Sequence, residues 1–313
     1  MRFAISINHQ QAHPIITIKD KLTGTKAVIY SFGGLLNEFH VPVKEKLFNC
    51  VEGYQSIYDA QKNITNGFKS AKICPFVCRL NVGQYELNNK KHTIEKHYMG
   101  KHAIHGLVYD GIYTIEKEIA TDEYAAVELK HMYKKTDKGY PYSFEVTIYW
   151  KLSSNNQLTV TTQIQHKNKI SIPFADGWHP YFTLGGKVDD YSIEFSSKHQ
   201  LAFDEELIPT GKKIKDERFI NEMSLKGIEL DNSFELLSGK PSKCTLKYKG
   251  LTLAVMPDKN YPILQLYIPP KRNCIAIENL SGAPNNFNNG IGLLMLEPNK
   301  IYSFSTSYIV STN

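Results

Sequence analysis

The chain of 313 residues is 42% hydrophobic and 22% charged, which is ordinary for a globular protein with a sizeable core. Its net charge of +6 comes from scattered lysines without a block of like charges, so no nucleic-acid partner is expected. The amino-terminal stretch lacks the apolar run of a signal peptide, and nothing later approaches a membrane span, which predicts a cytoplasmic protein without a membrane partner. The five cysteines lack disulfide spacing, so reduced thiols are expected.

Segments that alternate apolar and polar residues recur along the chain and predict strands. In chain order, they predict hairpins over residues 16–30, 143–165 and 244–255, followed by a final strand over 301–310. The best helical pattern is the short run DERFINEMSL, at 216–225.

The spacing of turn signals, about every ten residues, indicates an antiparallel sandwich or barrel rather than alternating strands and helices. No break in composition, proline- or serine-rich linker or internal repeat divides the chain. We therefore predict one large all-β domain over residues 1–313.

Motifs of several common enzyme classes are missing from the sequence. There is no phosphate-binding glycine loop, no Gly-x-Ser-x-Gly elbow and no pair of Cys-x-x-Cys motifs. Histidines cluster at positions 92, 97, 102 and 105, but His102 and His105 would point to opposite faces of a strand. No carboxylate joins them at a familiar ligand spacing, so no metal site is predicted.

The stretch ADGWHPYFTLGG, at 175–186, places His179 between an aromatic residue and a proline. The proline restricts the histidine to an extended, non-helical backbone. The rings of Trp178, Tyr181 and Phe182 suit either a protein core or the C–H face of a ligand. Taken alone, the pattern favours a packed core histidine over a catalytic one.

Four further polar residues lie beside predicted strands, in stretches with glycine, proline or asparagine: Arg79, His105, Asp231 and Glu278. Loops and strand ends on a β scaffold commonly hold ligands. Taken one at a time, each of the four favours a structural role instead: a surface ion pair for Arg79, a turn residue for His105, an Asx-turn for Asp231 and a solvated strand end for Glu278.

Taken in order, these segments resemble the aldose 1-epimerase (galactose mutarotase) family. The matching pieces are PFVCRLNVGQY, HAIHGLVYD, GWHPYF, LDNSF and IENLSGAPNNFNNG, and the resemblance extends from about SFGGLLNEF to the carboxyl terminus. It implies a large antiparallel β-supersandwich. Cys78 stands where many members have asparagine, and NLSGAPNN follows Glu278 where the best-known members have a Thr-Gln and a Pro-Asp pair. The chain therefore resembles a divergent branch.

The resemblance implies an enzyme that interconverts the α and β anomers of a free hexose, such as glucose or galactose, without a metal or organic cofactor. By position, it implies Glu278 as general base and His179 as general acid, with the carboxylate ionised and the imidazole protonated. It implies that His105, Arg79 and Asp231 hold the substrate. We also expect the flat ring of Trp178 to contribute to the sugar site.

Other functions remain open at this point. A hexose-6-phosphate 1-epimerase would need basic residues around the phosphate, for which Lys271, Arg272 and Lys101 are the candidates. A non-catalytic sugar-binding module would lack the acid or the base, and a metal hydrolase would need ligands. The sequence decides neither the sugar nor whether the protein is a monomer or a homodimer.

Overall fold

The structure, a computed structural model, describes residues 1–10, 13–237 and 242–312. Strands account for 53% of the residues and helices for 6%, and every ladder between named strands is antiparallel. The predicted all-β antiparallel fold is confirmed. The organisation as one domain over 1–313 stays a prediction.

The described strands, in chain order, are β1 (Phe3–Asn8), β2 (Ile15–Asp20), β3 (Lys26–Tyr30), β4 (Leu36–Val43), β5 (Lys46–Asn49), β6 (Ala71–Ile73), β7 (Arg79–Leu80), β8 (Gln84–Leu87), β9 (Lys90–Thr93), β10 (Tyr98–Met99), β11 (His102–Ile104), β12 (Thr114–Ala120), β13 (Tyr124–Lys134), β14 (Ser143–Ser153) and β15 (Gln157–Gln165). They continue with β16 (Ile172–Phe174), β17 (Gly177–His179), β18 (Tyr181–Phe182), β19 (Ser192–Phe195), β20 (Ser197–Phe203), β21 (Pro209–Lys215), β22 (Met223–Ser224), β23 (Asp231–Leu236), β24 (Cys244–Tyr248), β25 (Leu251–Pro257), β26 (Ile263–Tyr267), β27 (Ile275–Leu280), β28 (Leu294–Leu296) and β29 (Tyr302–Thr312). The described α-helices are α1 (Ile57–Asn63) and α2 (Asn286–Asn289), and short 3-10 turns cover Asn81–Gly83 and Val188–Asp190.

Two large sheets form the body of the fold. One has nine strands in the order β12-β13-β14-β15-β29-β25-β24-β19-β22, and the other follows the order β21-β20-β23-β26-β27-β17-β6, with β18 also paired to β27. Their inner faces meet where Trp150 of the first sheet packs edge-on against Trp178 of the second, with ring centroids 5.4 Å apart. Strands β1 to β5 form a separate meander. Three smaller sheets contain β10, β11 and β7 in that order, β8 with β9, and β16 with β28.

The hairpins predicted from alternation are confirmed. Strands β14 and β15 pair from Ser153 opposite Gln157. The turn between them uses Asn155 and Asn156 with φ of 61° and 51°, a left-handed conformation that asparagine tolerates. Pairs β2–β3 and β24–β25 and the final strand β29 also lie where the alternation predicts them. The alternation of apolar and polar residues identifies these strands because one face of each strand is buried against the core.

The predicted helix over 216–225 is wrong. The segment forms turns and the short strand β22 instead. The Asp216 carboxylate accepts hydrogen bonds from the backbone N–H and the guanidinium of Arg218, which offers the chain a local alternative to helical bonding. The ring of Phe219 stacks on Phe195 in the core at 4.9 Å. Tertiary packing and side-chain hydrogen bonds therefore override a weak helical pattern.

The described helices are short. Helix α1 begins after Ser56, whose hydroxyl accepts the backbone N–H of Asp59 as an N-cap. No helix in the described ranges has the length and apolar character needed to cross a membrane.

An ion pair is buried between the sheets, beside strand β17. Lys72 Nζ lies 2.6 Å from Asp176 Oδ1, and neither side chain is exposed to solvent. The ammonium also donates to the Gly177 carbonyl at 3.1 Å and lies 4.7 Å from the centre of the Trp178 ring. The Tyr261 hydroxyl donates to Asp176 Oδ2 at 2.6 Å. Each charge thus has several partners, which a buried ion pair requires to offset the loss of hydration.

We predict that Lys72→Met destabilises the protein by about 3–5 kcal/mol, because it leaves the Asp176 carboxylate buried without its counter-charge. Urea unfolding followed by circular dichroism measures this difference. Lys72→Met combined with Asp176→Leu is expected to recover much of the loss.

The matched control is Lys300→Met, which removes a lysine from the exposed pair with Glu297 at 2.8 Å. This change is expected to alter the free energy of unfolding by less than about 0.5 kcal/mol. An equally small loss for Lys72→Met would contradict the importance given to the buried pair.

Candidate active site

A cavity of about 570 Å³ opens beside strands β17, β23, β26 and β27. Five of the six site residues predicted from the sequence line it: Arg79, His105, His179, Asp231 and Glu278. These residues are separated by up to about 200 positions in the chain, so only the fold brings them together.

Four adjacent strands supply one polar row of the cavity. Strands β23, β26, β27 and β17 are neighbours in the second large sheet and carry, in that order, Asp231, Gln265, Glu278 and His179. Gln265 lies directly opposite Glu278 in the β26–β27 ladder. Side chains that point to the same face of adjacent strands lie about 5 Å apart, so the sheet holds this row with little freedom.

The opposite wall comes from the small sheet that contains β7 and β11. Arg79 follows Cys78, whose φ is 47°, and His105 follows β11 with a φ of 60°. The His105 N–H donates to the Cys78 carbonyl at 3.0 Å, which joins these two left-handed residues. Non-glycine residues with such backbone angles are strained and are concentrated at functional sites.

Gly106 allows the backbone next to His105 to pack closely against the backbone of Cys74. Its φ is +74°, and a Cβ on it would lie 2.2 Å from the Cys74 carbonyl oxygen. Only glycine lets the two backbones approach this closely. The glycine in the sequence HAIHG therefore has a packing role that supports His105.

The two predicted catalytic side chains are in direct contact. His179 Nε2 lies 3.3 Å from Glu278 Oε1, and the side chains are only 7% and 2% exposed. The ring of His105 stands perpendicular to that of His179, with centroids 4.9 Å apart. The second carboxylate oxygen of Glu278 and the Nδ1 atoms of both histidines are buried without a hydrogen-bond partner among the described residues. Buried polar atoms without a partner are rare in proteins, and their concentration here is typical of a functional site.

Burial determines the charge state of this pair. It raises the pKa of Glu278 well above its ordinary value, and the nearby Asp231 raises it further. Burial also lowers the pKa of His179 to about 4. Both shifts favour the form of the pair in which the proton lies on Glu278 rather than on His179. Their direction opposes the expected combination of an ionised glutamate and a protonated histidine, because a buried site disfavours both charged forms.

Burial lowers the pKa of His105 as well, and the neighbouring His179 and Arg79 add to the effect. It raises the pKa of Asp231, although Arg79 and Gln265 oppose this shift. His105 is thus a neutral hydrogen-bonding group in the cavity at neutral pH.

Gln265 is a site residue that the sequence analysis missed. Its amide donates to Asp231 Oδ1 at 2.8 Å, and its carbonyl oxygen accepts the hydroxyl of Ser233. The amide orientation is thereby determined, and with it the position of the Asp231 carboxylate. A signal was present in the sequence, since a glutamine interrupts the apolar run of YPILQLYIPP.

Trp178 is the predicted site residue that does not line the cavity. Successive side chains of a strand point to opposite faces, so with His179 in the cavity Trp178 points into the core. Its ring contacts Trp150, and its indole N–H donates to Thr162 Oγ1 at 3.2 Å. The expected contact with sugar is therefore replaced by a supporting position behind the site. Tyr181, two residues beyond His179, does line the cavity.

The basic residues considered for a phosphate have other partners or stand alone. Arg272 binds Asp189 at 2.7 Å and donates to two backbone carbonyls. Lys101 pairs with Glu206 at 2.7 Å. Lys271 is the only one of the three that lines the cavity.

The four clustered histidines do not form one common group, although His97 and His105 both pack on Phe68. His92 stacks on Tyr85 at 4.8 Å, His97 packs on Phe68 at 5.5 Å, and His102 Nδ1 accepts the N–H of Val82 at 3.0 Å. His105 alone of the four lines the cavity. Within residues 1–10, 13–237 and 242–312, no three His, Cys, Asp or Glu side chains are grouped in a way that could hold a metal ion. All five cysteines are buried and free.

Solved structures with this arrangement of strands are galactose mutarotase-like proteins. Galactose 1-epimerase from Lactobacillus acidophilus matches with a TM-score of 0.84 at 17% identity, over 100% of this chain and 99% of that one. An aldose epimerase homologue from C. elegans matches with a TM-score of 0.81 at 19% identity, over 93% and 96% of the two chains. At these identities the likeness shows the fold, a galactose mutarotase-like β-sandwich.

The family model described as aldose 1-epimerase matches residues 14–309, so the chain belongs to the aldose 1-epimerase family. An uncharacterized protein from Escherichia coli, YihR, is 27% identical over 73% of this chain and 74% of its own length. An aldose 1-epimerase from Streptococcus thermophilus is 28% identical over 65% of this chain and 60% of its own length. The resemblance found in the sequence is confirmed.

We predict that Trp178→Phe lowers stability without weakening hexose binding. The change removes the indole hydrogen bond and part of the packing against Trp150, and we expect it to lower the free energy of unfolding by at least about 1 kcal/mol. Arg79→Met, in the cavity, is expected to weaken binding at least tenfold and to leave stability nearly unchanged. Titration calorimetry and urea unfolding of both variants test this contrast, and a tenfold loss of affinity in Trp178→Phe would place the tryptophan in the sugar site.

Proposed function

We propose that this protein is an aldose 1-epimerase that interconverts the α and β anomers of a free hexose by general acid–base catalysis. The observation that carries the proposal is the contact of Glu278 with His179 at 3.3 Å, inside a cavity that also presents Arg79 and Asp231. A carboxyl and an imidazole in contact supply one acid and one base to the same bound molecule.

The reaction needs two coordinated proton transfers. The base removes the proton from the C1 hydroxyl, the C1–O1 bond becomes a carbonyl, and the bond from C1 to the ring oxygen breaks. The acid donates a proton to the ring oxygen as that bond breaks. After rotation about C1–C2, both transfers reverse, and the ring closes as the other anomer with the pair restored. Positioned groups of this kind typically contribute about 10²–10⁴-fold to a rate.

We assign the base to Glu278 and the acid to His179. The single proton must then pass from Glu278 to His179 before the sugar reacts, and their contact provides a direct route. Sugar hydroxyls that donate hydrogen bonds to the carboxylate favour its ionised form and so promote this transfer. Arg79 and Asp231 would hold other hydroxyls, and the neutral His105 would accept or donate a hydrogen bond beside them.

An uncharged hexose fits the cavity better than a hexose 6-phosphate. A phosphate dianion favours several converging cations, usually including arginine. Arg272 and Lys101 are engaged by Asp189 and Glu206. Of the cations that line the cavity, Lys69 is paired with Glu52, and Arg79 and Lys271 lie in different parts of the lining sequence rather than in one basic cluster. A purely sugar-binding module is also less well supported, because both acid–base groups are present and in contact.

We predict that Glu278→Gln and His179→Asn each reduce kcat by roughly a hundredfold or more, since each removes a group that exchanges protons and keeps a side chain of similar size. Polarimetry with pure α-glucose and α-galactose measures the rate, after subtraction of spontaneous mutarotation. Binding measured by calorimetry is expected to change much less than kcat.

Lys212→Ala, which removes an exposed lysine of β21 outside the cavity lining, is the control and is expected to keep the wild-type rate. A near-normal rate in Glu278→Gln would refute the assignment of the base. Wild-type protein that binds hexoses without accelerating anomer exchange would instead support the sugar-binding module.

We predict a rate plateau that extends through neutral pH into mild acid. The active pair carries one proton. It gains a second as the pH falls through about 4, the pKa of His179, and loses its only proton above the raised pKa of Glu278. Profiles of kcat/KM against pH report these macroscopic pKa values.

Circular dichroism at each pH distinguishes a fall in kcat/KM caused by titration of the pair from one caused by acid unfolding. A fall in kcat/KM that begins near the ordinary histidine pKa of about 6.5 would contradict the effect of burial.

A further inference from the structure

A short segment between helix α1 and strand β6 runs along one wall of the cavity. We call residues 67–70 the strap, of which 67–69 line the cavity and Ser70 leads into β6. Three of the four residues have left-handed backbones, with φ of 94° at Gly67, 52° at Phe68 and 53° at Ser70. A bulky side chain at such an angle is uncommon, and strain of this kind is concentrated at functional sites.

The fold holds the strap on two sides. On the side of the catalytic row, the Ser70 N–H donates to the His179 carbonyl at 2.8 Å, which joins the strap to β17. Away from that row, Lys69 Nζ donates to Glu52 Oε1 at 3.1 Å and to the Gly53 carbonyl at 3.0 Å. Contacts on both sides therefore restrict the position of the strap against the cavity.

The strap places the ring of Phe68 against His105. The two ring centroids are 4.5 Å apart, and Phe68 is only 1% exposed. The His105 ring also meets the His179 ring edge-on at 4.9 Å. Phe68 is itself held by edge-on contacts with His97 at 5.5 Å and Tyr109 at 5.1 Å. His105 thus contacts one well-packed ring from the strap and one ring from the catalytic row.

These ring contacts take the place of a hydrogen bond that commonly orients a histidine. An imidazole at a functional site is usually fixed by a hydrogen bond through one nitrogen, which leaves the other for its ligand. Nδ1 of His105 is buried without a hydrogen-bond partner among the described residues. Close packing against Phe68 therefore restricts rotation of the His105 ring.

We propose that Phe68 is a positioning residue, which holds the imidazole of His105 beside His179 and keeps water away from both rings. This inference rests on the proposed function, in which His105 hydrogen-bonds the sugar next to the proton transfer between His179 and Glu278. Phe68 has no proton to exchange, so its effect on the reaction passes through His105.

Loss of the Phe68 ring would give water access to the two histidines, because Phe68 itself lines the cavity. Burial lowers the pKa of His105 well below its ordinary value and that of His179 to about 4. Hydration favours the charged imidazolium, so the pKa of at least one of the two histidines rises when the ring is lost.

The other titratable or charged groups around these histidines come from the strap and from the strands and loops packed against it. They are Lys69, Cys78, Arg79, His97, Tyr181, Asp231 and Glu278. All of them are kept in the Phe68 variants, so a change in titration reports the loss of the ring.

Phe68→Ala and Phe68→Gly test the proposal, and Phe3→Ala is the matched control. Phe3 is also 1% exposed but packs in the core outside the cavity lining. Polarimetry with α-galactose, scaled to the folded fraction from circular dichroism, is expected to show kcat/KM at least about tenfold below wild type for both Phe68 variants. Glycine also relieves the left-handed backbone, so this variant serves if alanine prevents folding. Phe3→Ala is expected to lower stability and to leave kcat/KM unchanged.

A double-mutant cycle shows whether Phe68 acts through His105. In a His105→Asn background, loss of the Phe68 ring is expected to change kcat/KM by less than about twofold, because no imidazole is left to hold. Equal losses in both backgrounds would reduce Phe68 to ordinary core packing and overturn the proposal.

Histidine titration followed by NMR tests the same role without turnover. Loss of the Phe68 ring is expected to raise the higher of the His105 and His179 midpoints by about one pH unit or more, toward the ordinary value of about 6.5, and Phe3→Ala is expected to leave both unchanged. The proposal requires this rise, and unchanged midpoints would overturn it. If wild-type protein accelerates no sugar, the proposed activity fails, and the titration alone decides the role of Phe68.

Discussion

The buried Asp176 carboxylate connects the strands that form the catalytic row. It contacts Lys72 of β6, accepts the hydroxyl of Tyr261 just before β26, and its backbone N–H donates to Ser281 just after β27. Asp176 itself directly precedes β17, which carries His179. A buried carboxylate is destabilising unless partners of this kind offset its lost hydration. These contacts join Asp176 to the strands that carry the predicted acid–base groups.

The same absence of water gives the acid–base pair its chemistry. In solvent, a glutamate carboxyl and an imidazole would be an anion and a cation between about pH 4.3 and pH 6.5, each stabilised by hydration. In the cavity, Glu278 and His179 are nearly inaccessible, so the pair favours a shared proton and no net charge. In the proposed reaction, hydrogen bonds from a bound sugar would favour transfer of this proton between the two groups. Burial therefore links the packing of the sheets to proton transfer.

Sequence patterns predicted the secondary structure correctly where it depends on a local rule. They failed where contacts between residues far apart in the chain determine the local structure or the composition of the site. Alternation predicted β14, β15 and β29, because a strand with one buried face shows it directly in its sequence. The run at 216–225 failed because Asp216 and core stacking impose turns on it. Gln265 was missed because its meaning depends on Asp231, which lies 34 residues away. Trp178 was placed in the site as a neighbour of His179, although adjacent strand residues face opposite ways.

The sequence by itself determined the all-β character, the main hairpins and, through the ordered motifs around Arg79, His105, His179, Asp231 and Glu278, the family to which the chain belongs. These features depend on local alternation and on residue identities, both of which a linear chain displays. Only the tertiary structure decided the 3.3 Å contact between His179 and Glu278 and their altered pKa values. Distance and desolvation depend on residues far apart in the chain, and a sequence does not show which of them will exclude water from one another.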